Sequence, residues 1–251
     1  MGLVRSGTMD LLLLSNSRNH GQGFLEHALD EISDFLAGCD RIAFVPYALR
    51  DHDGYTATVA GALAPRGIEV IGVHTAADPR TVIADVRAVF VGGGNSFRLL
   101  KTLQATGLLE LIGDRVRAGD LRYIGSSAGT NMASPSVRTT NDMPIVQPST
   151  FDSFGFVPFQ INPHYLDPDP GSTHMGESRE QRLQEFLEDN DVTVLGLREG
   201  SWLRVADRQA RLDGRNGARL FVRGEEPREL PPGDDVSYLL DLTPRYDLPG
   251  E

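Results

Sequence analysis

The residues best suited to covalent chemistry are Gly125-Ser126-Ser127-Ala128-Gly129. They fit G-x-S-x-G and follow the apolar run Leu121–Ile124, so a buried strand would end in a sharp turn that lifts one serine out of the sheet. The frame puts Ser127 at the centre, not Ser126, and leaves the N–H of Ala128 to face a developing oxyanion. The competing reading is a serine that merely caps a helix. A serine nucleophile needs a base. Of the six histidines, His164 is the first candidate, in Gln160-Ile161-Asn162-Pro163-His164, between a strand-like run and a proline-rich loop. His174, in a Gly/Ser/Thr-rich stretch, is the second. The base in turn needs a carboxylate that fixes its tautomer and stabilises the imidazolium. Asp142 lies in a polar loop after the serine and Glu199 follows a strand-like run; spacing leaves both open. A second loaded loop is Val91-Gly92-Gly93-Gly94-Asn95. Its glycines let backbone N–H groups approach a ligand closely, and Asn95 can cap the next helix or contact substrate. With no following Lys-Ser/Thr and no G-x-G-x-x-G spacing, it is not a phosphate loop.

These loops need strands to hold them. Residues 10–14, 41–46, 68–73, 88–91 and 121–124 are short apolar runs. Helical patterns fill the gaps at 21–37, 53–64, 96–105 and 107–118, and Asp78-Pro79 opens a further short helix. Strands alternating with helices predict an α/β fold with a doubly wound, mostly parallel sheet flanked by helices. Ligands of such a sheet bind beyond the carboxyl ends of its strands, where both loaded loops fall. The second half predicts a helix over 178–189 and short strands at 144–146, 159–161, 192–197, 201–205, 208–212, 218–222 and 236–240, read as strands and hairpins extending the same sheet. No linker divides the chain, so residues 1–251 are expected to form one domain, with a surface loop over 224–235 and a loose tail over 243–251.

Composition narrows the function. The chain has 251 residues, 40% hydrophobic and 24% charged, enough to build a core. Its net charge of −11 argues against nucleic-acid and anionic-membrane partners. Only Lys101 is a lysine, so Schiff-base chemistry would fall to that residue alone. A single cysteine, Cys39, excludes an internal disulfide and any Cys-only metal cluster. No apolar run approaches the ~20 residues of a membrane span, and the first residues do not read as a secretory signal. A cytoplasmic protein needing no cofactor or metal is expected.

Several blocks together resemble the S51 family of serine peptidases: residues 11–17, 91–97, 127–131, 138–146, 160–164 and 176–182. The similarity runs from about residue 11 to about residue 221. It implies a class I glutamine amidotransferase-like fold with serine in place of cysteine, and hydrolysis of dipeptides with an N-terminal L-aspartate. It also implies Ser127 as nucleophile, His164 as base, Asp142 or Glu199 as the third member, Gly93, Gly94 and Ala128 at the oxyanion, and Arg179 as partner of the substrate aspartate. Read without it, Arg179 belongs to a solvated helix start with Glu177, Glu180 and Arg182. The rival readings are a cyanophycinase-like exopeptidase, an α/β-hydrolase-type esterase, whose Ser…acid…His order Asp142 would satisfy, and a non-enzymatic module that binds a small ligand on the glycine loop.

Overall fold

The computed structural model describes residues 8–168, 171, 173 and 175–249. Five apolar runs become strands β1 (Asp10–Leu14), β2 (Arg41–Val45), β3 (Glu69–Gly72), β4 (Ala88–Val91) and β5 (Arg122–Ser126). Between them lie helices α1 (Leu29–Phe35), α2 (His52–Leu63), α3 (Pro79–Ala84), α4 (Ser96–Thr106) and α5 (Leu108–Arg117). Local chemistry sets several of the helix starts: Asp51, Asp78 and Asn95 each accept a first-turn N–H with the side chain, and Pro79 occupies a position where its missing N–H costs nothing. After β5 come α6 (Ala128–Asn131), β6 (Gln160–Tyr165), α7 (Arg179–Asp189) and β7 (Val194–Arg198). The chain ends with β8 (Ser201–Ala206), β9 (Gln209–Gly214), β10 (Ala218–Phe221) and β11 (Arg228–Leu230).

The main sheet has seven strands in the order β3-β2-β4-β5-β1-β8-β9. The first five are parallel, and β8 and β9 join antiparallel beyond β1. The carboxyl ends of β4, β5 and β1 therefore lie side by side. β1 is buried on both faces, as an inner strand of a parallel sheet must be. Leu11 and Leu13 point into a cluster that also holds Ile161, Leu195 and Leu220, whereas Leu12 and Leu14 point into a second cluster with Ile32, Phe44 and Ile124.

Several expectations need correction. The predicted extension of one sheet holds for β8 and β9 only; β6, β7, β10 and β11 form a separate four-stranded sheet in the order β11-β10-β7-β6. The chain turns sharply at Glu199-Gly200, where Gly200 has φ +79°, so β7 and β8 part into different sheets. The helix expected over 21–37 is confined to a 3₁₀ turn at Glu26–Ala28 and α1, because Leu25 sits at φ +60° with its N–H on the Ser17 carbonyl. Residues 144–146 form no strand: Pro144 has no N–H for a ladder, and Ile145 donates to the Met143 carbonyl instead. Residues 236–240 are not a strand either, because Asp235 accepts the Ser237 N–H and starts the 3₁₀ turn Ser237–Asp241. The surface loop over 224–235 contains β11, and the tail is docked, with Arg245 bridging to Asp191 and Leu248 donating to the Asp189 carbonyl.

Because Leu12 is fully buried on the strand that seats the site, Leu12→Ala should cost about 2–5 kcal/mol through the lost burial and the cavity left behind. Thermal unfolding should show the midpoint lowered by roughly 5–15 °C; an unchanged midpoint would contradict this packing.

Candidate active site

The turn after β5 is sterically demanding. Ser127 adopts φ 55° and ψ −112°, strained for any residue with a Cβ. Its N–H donates to the Leu14 carbonyl at 3.1 Å, which fixes the turn to β1. A Cβ on Gly129 would stand 2.0 Å from the Val91 carbonyl oxygen, so only glycine lets α6 start this close to β4. Ser126 is fully buried and its Oγ has no partner among the described residues, whereas the Ser127 hydroxyl lies beside an imidazole.

That imidazole is His164, carried by the second sheet. It too has a positive φ, 54°, and the β6–β7 register shifts between Pro163 and Tyr165. The bulge re-aims the side chain across to the main sheet. His164 Nε2 is 2.9 Å from Ser127 Oγ, and Nδ1 is 2.6 Å from Glu199 Oε1. Glu199 occupies the corner between β7 and β8, with its side chain 48% exposed. Asp142 is bonded elsewhere: its Oδ2 accepts the Ser96 N–H at 2.7 Å and the Thr140 hydroxyl at 3.1 Å, at the start of α4. It makes no hydrogen bond to His164 among the described residues. His174 lies outside the described residues.

The glycine loop is pinned on both sides. Gly92 N–H donates to the Val45 carbonyl at 3.1 Å and Asn95 N–H to the Ala48 carbonyl at 3.0 Å. Gly93 N–H donates to Tyr55 Oη at 2.8 Å. It is therefore engaged in this structure, at a position that the resemblance places at the oxyanion. Its contribution is space, since a Cβ there would sit 2.8 Å from the Cβ of Ser127. The N–H groups of Gly94 and Ala128 make no hydrogen bond among the described residues. Asn95, expected to contact substrate, has both polar ends engaged: Oδ1 accepts from Arg98 N–H at 3.0 Å, and Nδ2 donates to the Met143 carbonyl at 2.8 Å.

Arg179 opens α7 behind a Ser178/Gln181 capping box. It is half-buried and pairs with no acid among the described residues, and its Nε is buried without an acceptor. Burial lowers its pKa first and the charge of Arg182 next, while Asp142 and Glu199 oppose them. A guanidinium left in this state favours an incoming anion. Arg179 lines a cleft of about 260 Å³ together with Ser127, Ala128, Asp142 and His164. Among the described residues, no group of three or more His, Cys, Asp or Glu is placed to hold a metal ion.

Tyr55 is the contact that pattern reading misses. It shares a buried helical stripe with Val59 and Leu63 and so reads as plain core. Its hydroxyl reveals the second role. Burial pushes the phenol pKa up to about 12, and the Gly93 hydrogen bond pulls the other way.

The family model for peptidase family S51 matches residues 11–213. Peptidase E of Streptomyces coelicolor is 64% identical over 239 residues, covering 95% of this chain and 98% of that protein. A Drosophila melanogaster protein named "Probable alpha-aspartyl dipeptidase" is 50% identical over 233 residues, covering 92% and 97%. The crystal structure of a peptidase from an acI-B1 actinobacterium superposes with a TM-score of 0.65 at 17% identity, over 92% of this chain and 98% of that one. At that identity the superposition speaks for the shared fold alone. No helix among the described residues is long and apolar enough to cross a membrane.

Tyr55→Phe would leave the Gly93 N–H without its acceptor, a loss of about 1–3 kcal/mol. The pH dependence has a definite sign. A folded-state phenol at about 12 against about 10 in the unfolded chain stabilises below pH ~10 and loses that contribution as pH rises to ~12. Urea midpoints at pH 8 and pH 11 should show the variant weaker at pH 8 and less sensitive to the alkaline step. Equal midpoints for both proteins at both pH values would contradict the contact.

Proposed function

The chain belongs to peptidase family S51, and from that premise we propose that it is a serine dipeptidase cleaving peptides with an N-terminal L-aspartate through an acyl-enzyme. The observation that carries this reading is that one cleft holds both the Ser127–His164 pair and Arg179, a half-buried cation with no acid of its own among the described residues. His164 Nε2 takes the hydroxyl proton as Ser127 Oγ attacks the carbonyl carbon of the aspartyl residue. Glu199 accepts the Nδ1 proton's hydrogen bond, holds the tautomer that leaves Nε2 basic, and stabilises the imidazolium as it forms. The N–H groups of Gly94 and Ala128, unbonded among the described residues, receive the oxyanion, each such donor lowering the barrier by about 3–4 kcal/mol. His164 then passes its proton to the leaving amine. A water attacks the acyl-enzyme, again with His164 as base, and aspartate leaves.

Arg179 supplies the preference for an acidic side chain. Its planar guanidinium pairs with a β-carboxylate through two parallel hydrogen bonds. An amide or methyl in that place would leave the cation unpaired, and such sites discriminate strongly. Asp142 suits a different task from the one it shared with Glu199 as a candidate. Its Oδ1 makes no hydrogen bond among the described residues, and it lines the same cleft as Arg179. A carboxylate there matches the α-ammonium of a free N-terminus. A dipeptidase of this kind uses the relay and the cation together. A ligand-binding module has no need of the relay, and a simple esterase no need of the cation. A cyanophycinase-like enzyme would instead turn over a β-linked polymer.

Turnover of Asp-Leu and Asn-Leu by the wild type and Ser127→Ala is the direct test. The wild type should favour Asp-Leu by about 100-fold or more in kcat/KM, and Ser127→Ala should lose about 10⁴-fold or more in kcat. Equal turnover of the two peptides would remove Arg179 from recognition, and an active Ser127→Ala would remove the nucleophile. The two acids separate in the same assay. Glu199→Gln should lower kcat by about 10²–10⁴-fold with KM nearly unchanged, whereas Asp142→Asn should act mainly through KM. The reverse pattern would hand the third position to Asp142.

A further inference from the structure

The run Leu14-Ser15-Asn16, at and just beyond the end of β1, accepts backbone hydrogen bonds from Ser127, from His164 and from Gly200, the neighbour of Glu199. The Leu14 carbonyl accepts the Ser127 N–H at 3.1 Å. Ser15 Oγ accepts the His164 N–H at 2.9 Å and donates to the Leu197 carbonyl at 2.8 Å. Asn16 Oδ1 accepts the N–H of Gly200, the residue after Glu199, at 2.8 Å. Asn16 Nδ2 donates to the Arg18 carbonyl at 2.9 Å and to Asn19 Oδ1 at 2.7 Å. Both side chains are buried, Ser15 at 0% and Asn16 at 1% exposure.

Burying two polar side chains directly after four buried leucines is costly unless their bonds are made. Here they are made, and to particular groups. His164 stands at positive φ in a bulge, so its N–H cannot continue the β6–β7 ladder and needs another acceptor. Gly200 N–H, at the corner between the two sheets, is in the same position. Ser15 and Asn16 supply both acceptors from one rigid strand end, and the preceding residue holds the serine turn. The separations between Ser127, His164 and Glu199 are thus referred to one backbone segment although the three side chains come from two sheets.

We propose that Ser15 and Asn16 are positioning residues for catalysis, holding the backbones of His164 and Glu199 in register with Ser127. This rests on the Ser127–His164–Glu199 reading given above. A displacement of about 1 Å in such a constellation costs on the order of 10²-fold in rate. Ser15→Ala and Asn16→Ala should each lower kcat for Asp-Leu by about 10- to 100-fold, leaving KM and inhibition by free L-aspartate within about twofold. Ser15→Thr, which keeps the hydroxyl, should recover much of the lost kcat. Ser134→Ala is the control: Ser134 is another fully buried serine whose Oγ accepts a β6 N–H, that of Ile161 at 2.9 Å, but it touches no relay backbone. It should lose stability and keep kcat. Assays at 15 °C, with folding checked by circular dichroism, separate lost rate from lost protein. Folded Ser15→Ala and Asn16→Ala with kcat within twofold of wild type, or with effects on KM alone, would overturn the proposal. If Ser15→Ala does not fold, Asn16→Ala decides. An active Ser127→Ala in the same series would instead bring down the underlying reading, so the two failures are distinguishable.

Discussion

A hydrogen bond of 2.9 Å between Ser127 Oγ and His164 Nε2 is the contact on which the rest of the site depends. It crosses from the seven-stranded sheet to the four-stranded one, so the chemistry requires the two sheets to be held in fixed relation. The apolar core does this coarsely, since one cluster runs from Leu11 and Val45 through to Ile161 and Leu220. Apolar packing is non-directional and cannot set a hydrogen-bond distance by itself. The fine setting falls to polar bonds at the end of β1, where Ser15 reaches both β6 and β7.

The site also holds strain. Ser127 and His164 are two of the five non-glycine residues at positive φ among the described residues. Each such residue costs of the order of 1–3 kcal/mol and persists only where its surroundings over-determine it. At Ser127 the determinants are the β1 carbonyl that takes its N–H and the glycines against which the turn packs. At His164 they are Ser15 and the carboxylate of Glu199. The glycine loop, intrinsically the most flexible backbone near the site, is stiffened by Val45, Tyr55 and Ala48, which leaves the Gly94 N–H unengaged between anchored neighbours. Preorganised donors of this kind need little rearrangement when charge develops.

Much of this was legible in the sequence because local chemistry decided it. Continuous apolar runs specified β1, β2, β4 and β5, and Asn95 and Asp78 marked helix starts that the structure keeps. G-x-S-x-G singled out Ser127 because its flanking positions tolerate only small residues. What escaped was decided at long range. Glu199 and Asp142 are chemically alike, and only the corner between the sheets puts one of them 2.6 Å from His164. The four-stranded sheet was missed because strand period does not say which edge a strand will join. The helix over 21–37 was overstated because Leu25 gives no warning of a left-handed backbone. Tyr55 and Ser15 read as core and as strand end, since a phenol on a buried stripe and a serine after four leucines carry no signal of the N–H groups they meet.

The electrostatics fit the same plan. A chain of net charge −11 keeps Arg179 half-buried, with no acid partner among the described residues and its Nε without an acceptor, in the same cleft as the hydroxyl that would attack. The central claim is that Ser127 is activated by His164 inside a cleft that recognises an acidic N-terminal residue. Treating the protein with a fluorophosphonate and mapping the adduct by mass spectrometry tests this most directly. The account predicts one adduct per chain, on Ser127, formed more slowly when L-aspartate is in excess and not when L-alanine is. Loss of activity with the adduct on another residue, or labelling of Ser127 that L-aspartate leaves untouched, would contradict it.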